Sequence, residues 1–391
     1  MRAGPSQEEI RRQNLGALLR QVHLRGALSR AELTSSLGLN RSTIGALTAD
    51  LSAAGLVREE LPAGSAPREG IPGQALRRAG RPSLVVRPQS ERVYAYAFAL
   101  GAERITAARV GLGGQILDRR EAVRELDELS SVQHMVRQMQ RPVPRDAYCI
   151  GAGAATTATD RADEPLGAAL AEVLGMEQPV SIANRADLGA LAEHTRGCAT
   201  DAESVIYLHG DVGVAGGIIA GGRLVTGHGG YAGEVGHMVV NPNGRPCACG
   251  SRGCWETEIG EQALLRAAGY DRGDGAGGGR AAVLAVVDAA ARGDAMAQAA
   301  VRHVGDWLGF GVANLVNIFN PETVIFGGTL REVFIAGAAQ VRSRINRNAL
   351  LASRERVRLR TPELGEDAPL IGAAELAFQR LLADPLEAGA A

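Results

Sequence analysis

Residues 233–256, GEVGHMVVNPNGRPCACGSRGCWE, hold the most specific chemistry in the sequence. They contain three of the five cysteines, Cys247, Cys249 and Cys254, and His237 lies ten residues before the first of them. Three thiolates and one imidazole form a tetrahedral donor set that suits zinc, and the glycines of this segment allow the backbone to fold around an ion. Because four protein ligands leave no coordination position for a substrate, we predict a structural Zn²⁺ site that clamps this loop.

Free cysteines and a labile disulfide are the alternatives to a zinc site. The chain begins MRAGPSQEEI, which lacks the apolar core of a secretory signal, so we expect a cytoplasmic protein in a reducing compartment. Disulfides are not expected there, and the clustering of the cysteines favours zinc. No stretch approaches the roughly 18 apolar residues that span a bilayer, so we expect no membrane association.

The charge of the chain is divided unevenly, although the net charge is only −1 over 391 residues. Residues 1–90 carry 13 Arg and 7 Asp or Glu, which gives +6, and the remaining residues carry −7. Every fixed side-chain cation is an arginine, because the sequence contains no lysine. Guanidinium groups suit binding to phosphates and to the edges of guanine bases. A compositional bias towards Arg, Ala and Gly would also explain why arginine replaces lysine throughout.

Residues 11–60 read as three short helices followed by a strand. Ser29 and Glu32 form a capping box at the start of the second helix, and Asn40 is placed to cap the third. A glycine follows each helix, at Gly26, Gly38 and Gly55. Two short helices joined by a tight turn and followed by a strand are typical of a winged helix-turn-helix.

In such a motif the third helix enters the major groove of DNA. We therefore expect Arg41, Ser42 and Thr43, at the start of that helix, to contact DNA. Arg41 is the one best equipped to read a base or bind a phosphate. An ordinary three-helix subdomain with a polar face is the alternative, and the local charge of +6 favours DNA.

A wing is predicted after the third helix. Residues 62–80 are rich in Pro, Gly and Ala and are expected to form a flexible loop. The apolar strand from Ser83 to Val86 is then expected to pair with Leu56–Glu59. Arg81 lies near the tip of the wing, where arginines insert into a narrow minor groove, and a solvated charge run is the alternative for the arginines beside it.

From about residue 91 strands and helices alternate, which predicts an α/β architecture. Residues 93–120 read as two apolar strands around a glycine turn. Further strands are predicted near 147–155, 204–209 and 323–326, and helices near 184–196, 260–268, 280–318 with interruptions at glycines, and 371–383.

Taken together, these motifs resemble the ROK family of repressors, open reading frames and sugar kinases, and in particular its repressor branch. The similarity covers nearly the whole chain. The Glu-x-Gly-His element with its Cys-x-Cys-x4-Cys tail is highly specific, whereas the glycine pattern of residues 210–217 alone is weak. The segments that carry the resemblance are GDVGVAGGIIAGGRLVTGHGGYAGEVGHMVVNPNGRPCACGSRGCWET at 210–257, NRADLGALAEHTRG at 184–197, VIFGG at 324–328, IGAAELA at 371–377 and GRPSLVV at 80–86.

The resemblance implies an α/β fold in which a winged helix-turn-helix precedes a two-lobed, actin-like domain of the sugar kinase and ribonuclease H-like type. It places the DNA-binding domain at residues 1–88, with the flexible wing loop at 62–80, and the ROK sugar-binding domain at residues 89–391. Lobe 1 is expected at residues 89–203 together with a C-terminal helix at 371–383, and lobe 2 at residues 204–370. A homodimer or homotetramer is also implied.

Carried over residue by residue, the resemblance makes Asn184, Glu234, His237 and Glu256 the contacts to sugar hydroxyls. Carboxylates and amides form paired hydrogen bonds with adjacent hydroxyls, and a zinc-bound His237 keeps its second ring nitrogen free for the ligand. Helix capping is the alternative for Asn184, and surface charge is the alternative for the two glutamates.

Three groups that the family's kinases use for phosphoryl transfer are replaced. Ala99 stands in place of the Asp of the first phosphate loop, Val212 in place of the threonine of the second, and Arg185 in place of the catalytic Asp. Asp211 beside the second loop would repel phosphate, and arginine stays protonated and cannot act as a general base. The chain also has TTA at 156–158, where many relatives have a Pro-Gly pair. We therefore expect no catalysis.

The sequence thus predicts a DNA-binding regulator, expected to be a repressor of carbohydrate-related genes, that binds double-stranded operator DNA and responds to a sugar or sugar derivative. An active ATP-dependent sugar kinase and a DNA-bound scaffold without a sugar ligand are the alternatives. Arg185 either selects an acidic or phosphorylated sugar in the cleft or, as we expect, forms a salt bridge with Asp187 or Glu193 outside it.

Overall fold

The computed structural model of the chain describes residues 6–62, 83–124, 127–157, 163–270 and 278–388. Arg81 and all but the first residue of the predicted wing loop lie outside these ranges, so the role assigned to Arg81 stays a prediction. Within the described ranges, no helix is both long and apolar enough to cross a membrane.

The N-terminal helices are capped as the sequence predicts. The Ser29 hydroxyl accepts from the Glu32 N–H at 3.2 Å, and the Ser29 N–H donates to the Glu32 carboxylate at 2.7 Å. Asn40 Oδ1 accepts from the Thr43 N–H at 2.8 Å. Each cap contributes about 1 kcal/mol to helix stability. The elements of this region are α1 (Gln7–Arg25), β1 (Leu28–Ser29), α2 (Arg30–Leu37), α3 (Arg41–Ala53), β2 (Val57–Glu60) and β3 (Val85–Pro88).

A three-stranded sheet in the order β1-β3-β2 packs beside these helices. Val57 pairs with Pro88 and Glu60 with Val85, which confirms the predicted pairing of the wing strands, although each strand begins one or two residues later than predicted. The two-residue strand β1 was not predicted, because its pairing of Leu28 with Val86 joins segments that are distant in sequence.

A five-stranded sheet follows, in the order β6-β5-β4-β7-β8. Residues 93–120 contribute to three strands rather than the predicted two, because a turn at 101–103 and a second turn at Gly113 and Gly114 both interrupt the run. These two glycines have φ values of +106° and +81°, a backbone conformation that residues with a Cβ atom rarely adopt. The elements are β4 (Val93–Leu100), β5 (Arg104–Gly111), β6 (Ile116–Val123), α4 (Glu128–Gln140), β7 (Tyr148–Thr156), α5 (Asp163–Leu174), β8 (Ser181–Asn184) and α6 (Arg185–Arg196).

A second five-stranded sheet has the order β11-β10-β9-β12-β13. The predicted helical stretch 280–318 is divided at Gly293, whose φ is +95°, and Asp294 caps the helix that follows. The elements are β9 (Val205–Gly210), β10 (Val214–Ala220), β11 (Arg223–Leu224), α7 (Glu256–Ile259), α8 (Glu261–Ala267), α9 (Arg280–Ala291), α10 (Ala295–Phe319), β12 (Thr323–Gly328), α11 (Thr329–Asn348), α12 (Leu351–Arg354), β13 (Arg358–Arg360), α13 (Ala368–Ala383) and α14 (Pro385–Ala388).

Helices α6 and α13 connect the two sheets. α13 packs on β4 and β7 of the first sheet and on α6, and α6 packs in turn on β9 and β10 of the second sheet. Strands β8 and β9 both end beside the start of α6, at Asn184 and Gly210. In open α/β folds ligands bind outside the carboxyl ends of the strands, so this is where a site is expected.

Candidate functional site

The four predicted metal ligands come together in the structure. The ligand atoms of His237, Cys247, Cys249 and Cys254 all lie within 4.8 Å of one another. His237 Nδ1 lies 3.6 Å from Cys247 Sγ, and Cys249 Sγ lies 3.6 Å from Cys254 Sγ. An antiparallel bridge between Val239 and Cys254 holds the His237 turn against the cysteine loop.

This donor set fits a tetrahedral metal ion. Two sulfurs bound to zinc at about 2.3 Å lie about 3.8 Å apart at the tetrahedral angle, close to the separation of Cys249 and Cys254. Cys247 and Cys254 are buried. Burial raises the pKa of the Cys247 thiol to about 12, so its thiolate is unfavourable unless a cation lies beside it. The cluster can therefore bind a metal ion.

The four residues expected to contact a sugar line one pocket beside this cluster. His237 directs Nδ1 toward the cysteines, and its Nε2 lies 4.0 Å from Glu234 Oε2. Glu256, in the first turn of α7, lies between the two sites, because the Cys247 thiol donates to its Oε1 at 2.9 Å and the Val214 N–H donates to its Oε2 at 3.4 Å. The pocket and the cysteine cluster thus share His237.

Asn184 caps a helix and lines the pocket. Its Oδ1 accepts from the Ala186 N–H at 2.8 Å and caps α6. It also lines the pocket. The side-chain amide nitrogen takes no part in the cap, so its donors are available to a ligand.

Arg185 lies inside the cleft, and its expected salt bridge with Asp187 or Glu193 outside the cleft is wrong. Its Nη1 donates to Asp211 Oδ2 at 2.9 Å. The partner is 26 residues away in sequence, and the end of β9 brings it opposite the start of α6. Asp211 therefore neutralises the positive charge of Arg185, which would otherwise attract an anionic ligand.

Arg185, His209 and Asp211 separate this pocket from a second cavity, since all three line both. His209 is buried, and burial lowers its pKa to about 3, so its ring is neutral. Its Nδ1 has no hydrogen-bond partner among the described residues. Sequence reasoning missed His209, for which the only signal is a polar residue at the end of an apolar strand.

The second cavity has Ala99 and Val212 in its wall, together with charged residues that are already paired. Among the described residues, six carboxylates and four arginines line it, so a triphosphate would meet an excess of negative charge there. The four arginine pairs are Arg104 with Glu121 at 3.1 Å, Arg119 with Asp367 at 3.1 Å, Arg185 with Asp211 at 2.9 Å and Arg280 with Glu332 at 3.1 Å.

Asp187, in the first turn of α6, is buried with an Oδ1 that has no hydrogen-bond partner among the described residues. Burial, and then the charge of Glu234, raise its pKa to about 7. The folded chain therefore holds a proton between about pH 4 and pH 7 that the unfolded chain releases, so the free energy of unfolding falls as the pH rises through that window.

Replacing this carboxyl by an amide removes that pH dependence. We expect Asp187→Asn to raise the free energy of unfolding by about 1–3 kcal/mol at pH 8 and to change it little at pH 4. Urea unfolding of both chains from pH 4 to pH 8 measures the difference between their free energies of unfolding. The contributions of other titrating groups cancel in that difference. Asp201 is exposed, so Asp201→Asn is the control variant. If the free energy of unfolding of Asp187→Asn falls with pH as steeply as that of the wild-type chain, the raised pKa does not belong to Asp187.

At the N-terminal end, Arg41 and Ser42 are exposed in the first turn of α3 and Thr43 is half-buried. The Ser42 hydroxyl donates to Asn40 Oδ1 at 2.7 Å, so it already takes part in the cap. Several other arginines of this region are paired with carboxylates of the same region, so fewer guanidinium groups are unpaired than its 13 arginines suggest, while the net charge of +6 already includes these carboxylates. These pairs are Arg11 with Asp50, Arg30 with Glu59 and Arg87 with Glu60.

Comparison with known proteins gives a family and a fold. The model described as the ROK family matches residues 95–380. The chain is 30% identical over 204 residues to the xylose repressor of Bacillus spizizenii, which covers 52% of either chain. It is 32% identical over 217 residues to the glucokinase of Halalkalibacterium halodurans, which covers 52% of this chain and 64% of that protein. The chain thus spans about half the length of the repressor that it matches.

Among solved structures, a ROK family transcriptional regulator, a homolog of the Escherichia coli MLC protein, superposes with a TM-score of 0.75. The match covers 98% of this chain and 100% of that chain at 22% identity. It confirms the expected fold class, an actin-like α/β architecture preceded by a winged helix-turn-helix domain.

Proposed function

This chain belongs to the ROK family, and from that membership we propose that it is a transcriptional repressor that binds operator DNA and responds to a sugar. The name of the xylose repressor that it resembles supports this proposal. The DNA-binding domain would comprise residues 1–88 and the sugar-binding domain residues 89–391. Lobe 1 would comprise residues 89–203 with the helix at 371–383, and lobe 2 residues 204–370.

The observation that carries the proposal is the exposed start of α3 within a winged helix. Arg41 stands there with its side chain in solvent, and Ser42 and Thr43 follow it. We assign these three residues to the major groove and Arg81 to the minor groove beside the wing. Because arginines release counterions from DNA phosphates, binding should weaken steeply with salt.

The effector proposed for the pocket is a neutral sugar. Glu234 and Glu256 line the pocket, and the charge of Arg185 is compensated by Asp211. An anionic sugar would therefore meet net negative charge, whereas hydroxyls can donate to the carboxylates and accept from Asn184. His237 would present Nε2 to the same ligand.

We assign no phosphotransfer activity to the second cavity. Each of its four arginines already has a carboxylate partner, and carboxylates are in excess. Arg185 holds its proton at neutral pH and so cannot accept one from a sugar hydroxyl. The similarity to a glucokinase makes this assignment one that needs a direct assay.

We propose Zn²⁺ as the ion of the cysteine cluster, held by His237 Nδ1 and the thiolates of Cys247, Cys249 and Cys254. Four protein ligands make it a structural ion, which fixes the loop and the orientation of the His237 ring. The chain itself then places Nε2 of that ring, and the Glu256 carboxylate beside it, at the edge of the pocket.

Operator sites with two half-sites imply at least a dimer, so we propose a homodimer or homotetramer in the cytoplasm. The sugar would favour an arrangement of the lobes that sets the two winged helices at the wrong spacing for DNA.

The test is to select genomic DNA fragments with the purified full-length chain at low and at moderate salt. The selection is repeated with D-xylose, D-glucose, N-acetyl-D-glucosamine and glucose 6-phosphate, and an ATP-dependent phosphorylation assay runs in parallel. We expect retention of specific fragments, release by a neutral sugar but not by the phosphorylated one, and no turnover of ATP.

The other outcomes are also informative. No preference for any duplex over random competitor contradicts the DNA-binding proposal. Specific DNA binding without a thermal shift by any sugar favours the scaffold, since a ligand that binds the folded chain must raise its melting temperature. Measurable sugar phosphorylation favours the kinase.

A further inference from the structure

A buried polar network joins the winged helix to the sugar-binding domain. Arg196, the last residue of α6, donates from Nη1 to the His23 carbonyl of α1 at 3.0 Å and to the Gly113 carbonyl of the β5–β6 turn at 2.9 Å. Its Nε donates to Glu375 of α13 at 2.5 Å. One side chain thus bonds to three separate segments, and it is only 11% exposed.

The partners of Arg196 are themselves fixed. His23 is fully buried, and its Nδ1 accepts from the Gly113 N–H at 2.9 Å. Its Nε2 lies 3.0 Å from Glu375 Oε2 and 2.6 Å from Arg196 Nη2. A buried, fully bonded set of charged groups has one favoured geometry, because breaking any member leaves an uncompensated charge.

The opposite end of the same helix lies in the sugar pocket. Asn184 caps α6 there, and Arg185 in its first turn is bonded to Asp211. The helix has 12 residues, so about 18 Å separates its ends. Helix α6 therefore begins at the proposed sugar pocket and ends at the winged helix.

The first turn of α6 is packed backbone against backbone on two sides. A Cβ at Gly217 of β10 would lie 2.1 Å from the Ala186 carbonyl oxygen, and a Cβ at Gly372 of α13 would lie 2.0 Å from the Leu188 carbonyl oxygen. Close-packed contacts of this kind transmit a displacement instead of absorbing it. The helix can shift only as a body, together with its two ends.

From this geometry we propose that α6 carries the state of the sugar pocket to the winged helix, and that Arg196 is the positioning residue at its far end. The proposal deepens the proposed function and rests on it for the identity of the two sites. It places no ligand contact on Arg196, which acts through the His23 carbonyl and the β5–β6 turn.

The test perturbs one end of the helix and observes the other. Asp211→Asn weakens the pairing of Arg185 in the pocket, and hydrogen exchange is followed by mass spectrometry in residues 20–26 and 111–114 of the full-length chain. We expect exchange there to speed up by about threefold in Asp211→Asn. In an Arg196→Met background the same substitution should cause no further change.

Arg12→Met is the matched control, because Arg12 also links α1 to the C-terminal segment, through Asp384 at 3.4 Å, but has no bond to α6. The Arg12→Met background should keep the threefold response. If Arg196→Met does not fold, Arg196→Lys keeps the charge beside Glu375 while losing the fork to two carbonyls, and it should abolish the response in the same way. Unchanged exchange in residues 205–220 shows that the sheet remains folded.

No response to Asp211→Asn in the otherwise wild-type chain would overturn the proposal, and so would an equal response with and without Arg196. A purely structural role for Arg196 predicts faster exchange in its variants but leaves the response to Asp211→Asn intact. The measurement uses neither sugar nor DNA, so its failure would leave the proposed function standing, and failure of the DNA selection would leave this coupling standing.

Discussion

The Cys254→Ser chain is expected to lose the proposed zinc ion and to melt roughly 5 °C below the wild-type chain. Cys254 is fully buried and supplies one of four ligands within 4.8 Å of one another. Structural zinc contributes about 10–16 kcal/mol of binding free energy in small domains, so losing a third of that free energy shifts the melting temperature of a chain of this size by about 5 °C. Elemental analysis of the purified chain gives the zinc content, and calorimetry gives the melting temperature.

Cys149 and Cys198 are the matched controls, because both are half-buried cysteines outside the cluster. Their serine variants should retain one zinc per chain. A chelator should reproduce the loss in the wild-type chain and have no further effect on Cys254→Ser. One equivalent of zinc in Cys254→Ser, with an unchanged melting temperature, would show that the cluster does not hold the ion.

Arg41→Ala should weaken binding to the selected operator by about 10- to 100-fold. Its side chain stands free at the start of α3, where a recognition helix meets base edges and phosphates. If Arg41 contacts phosphate, the slope of log affinity against log salt should also fall by about one. Fluorescence anisotropy at several salt concentrations measures both quantities.

Arg11→Ala provides the comparison, since Arg11 lies in the same region but is already paired with Asp50. We expect it to leave operator affinity within about threefold of wild type. Circular dichroism of both variants checks that the helices are retained. If Arg41→Ala keeps wild-type affinity, salt slope and sequence preference, α3 is not the reading helix.

The features that the sequence predicts well are local ones. Both the Ser29 and Asn40 caps depend on residues within three positions, and the cysteines of the metal cluster lie within eight residues of one another. Features that depend on distant segments were missed. The pairing of Leu28 with Val86 was missed because β1 has only two residues and is too short to show a pattern.

The position of Arg185 shows the same limit at the site. Its nearest acidic neighbours in sequence predict a local salt bridge, whereas the fold supplies Asp211 from the end of another strand. The sequence likewise does not show that Arg30 pairs with Glu59 and Arg87 with Glu60. Composition gives the number of charges, and only the tertiary structure gives their partners.

The backbone contacts along α6 limit how this protein can be re-engineered as a biosensor. Any residue larger than glycine at position 217 or 372 would clash with a carbonyl oxygen of α6 and displace the helix. This holds for every compound that the sensor is meant to detect. Mutant libraries that aim at a new inducer should therefore diversify the rim of the pocket, at Thr157, Glu234 and their neighbours, and keep both glycines constant.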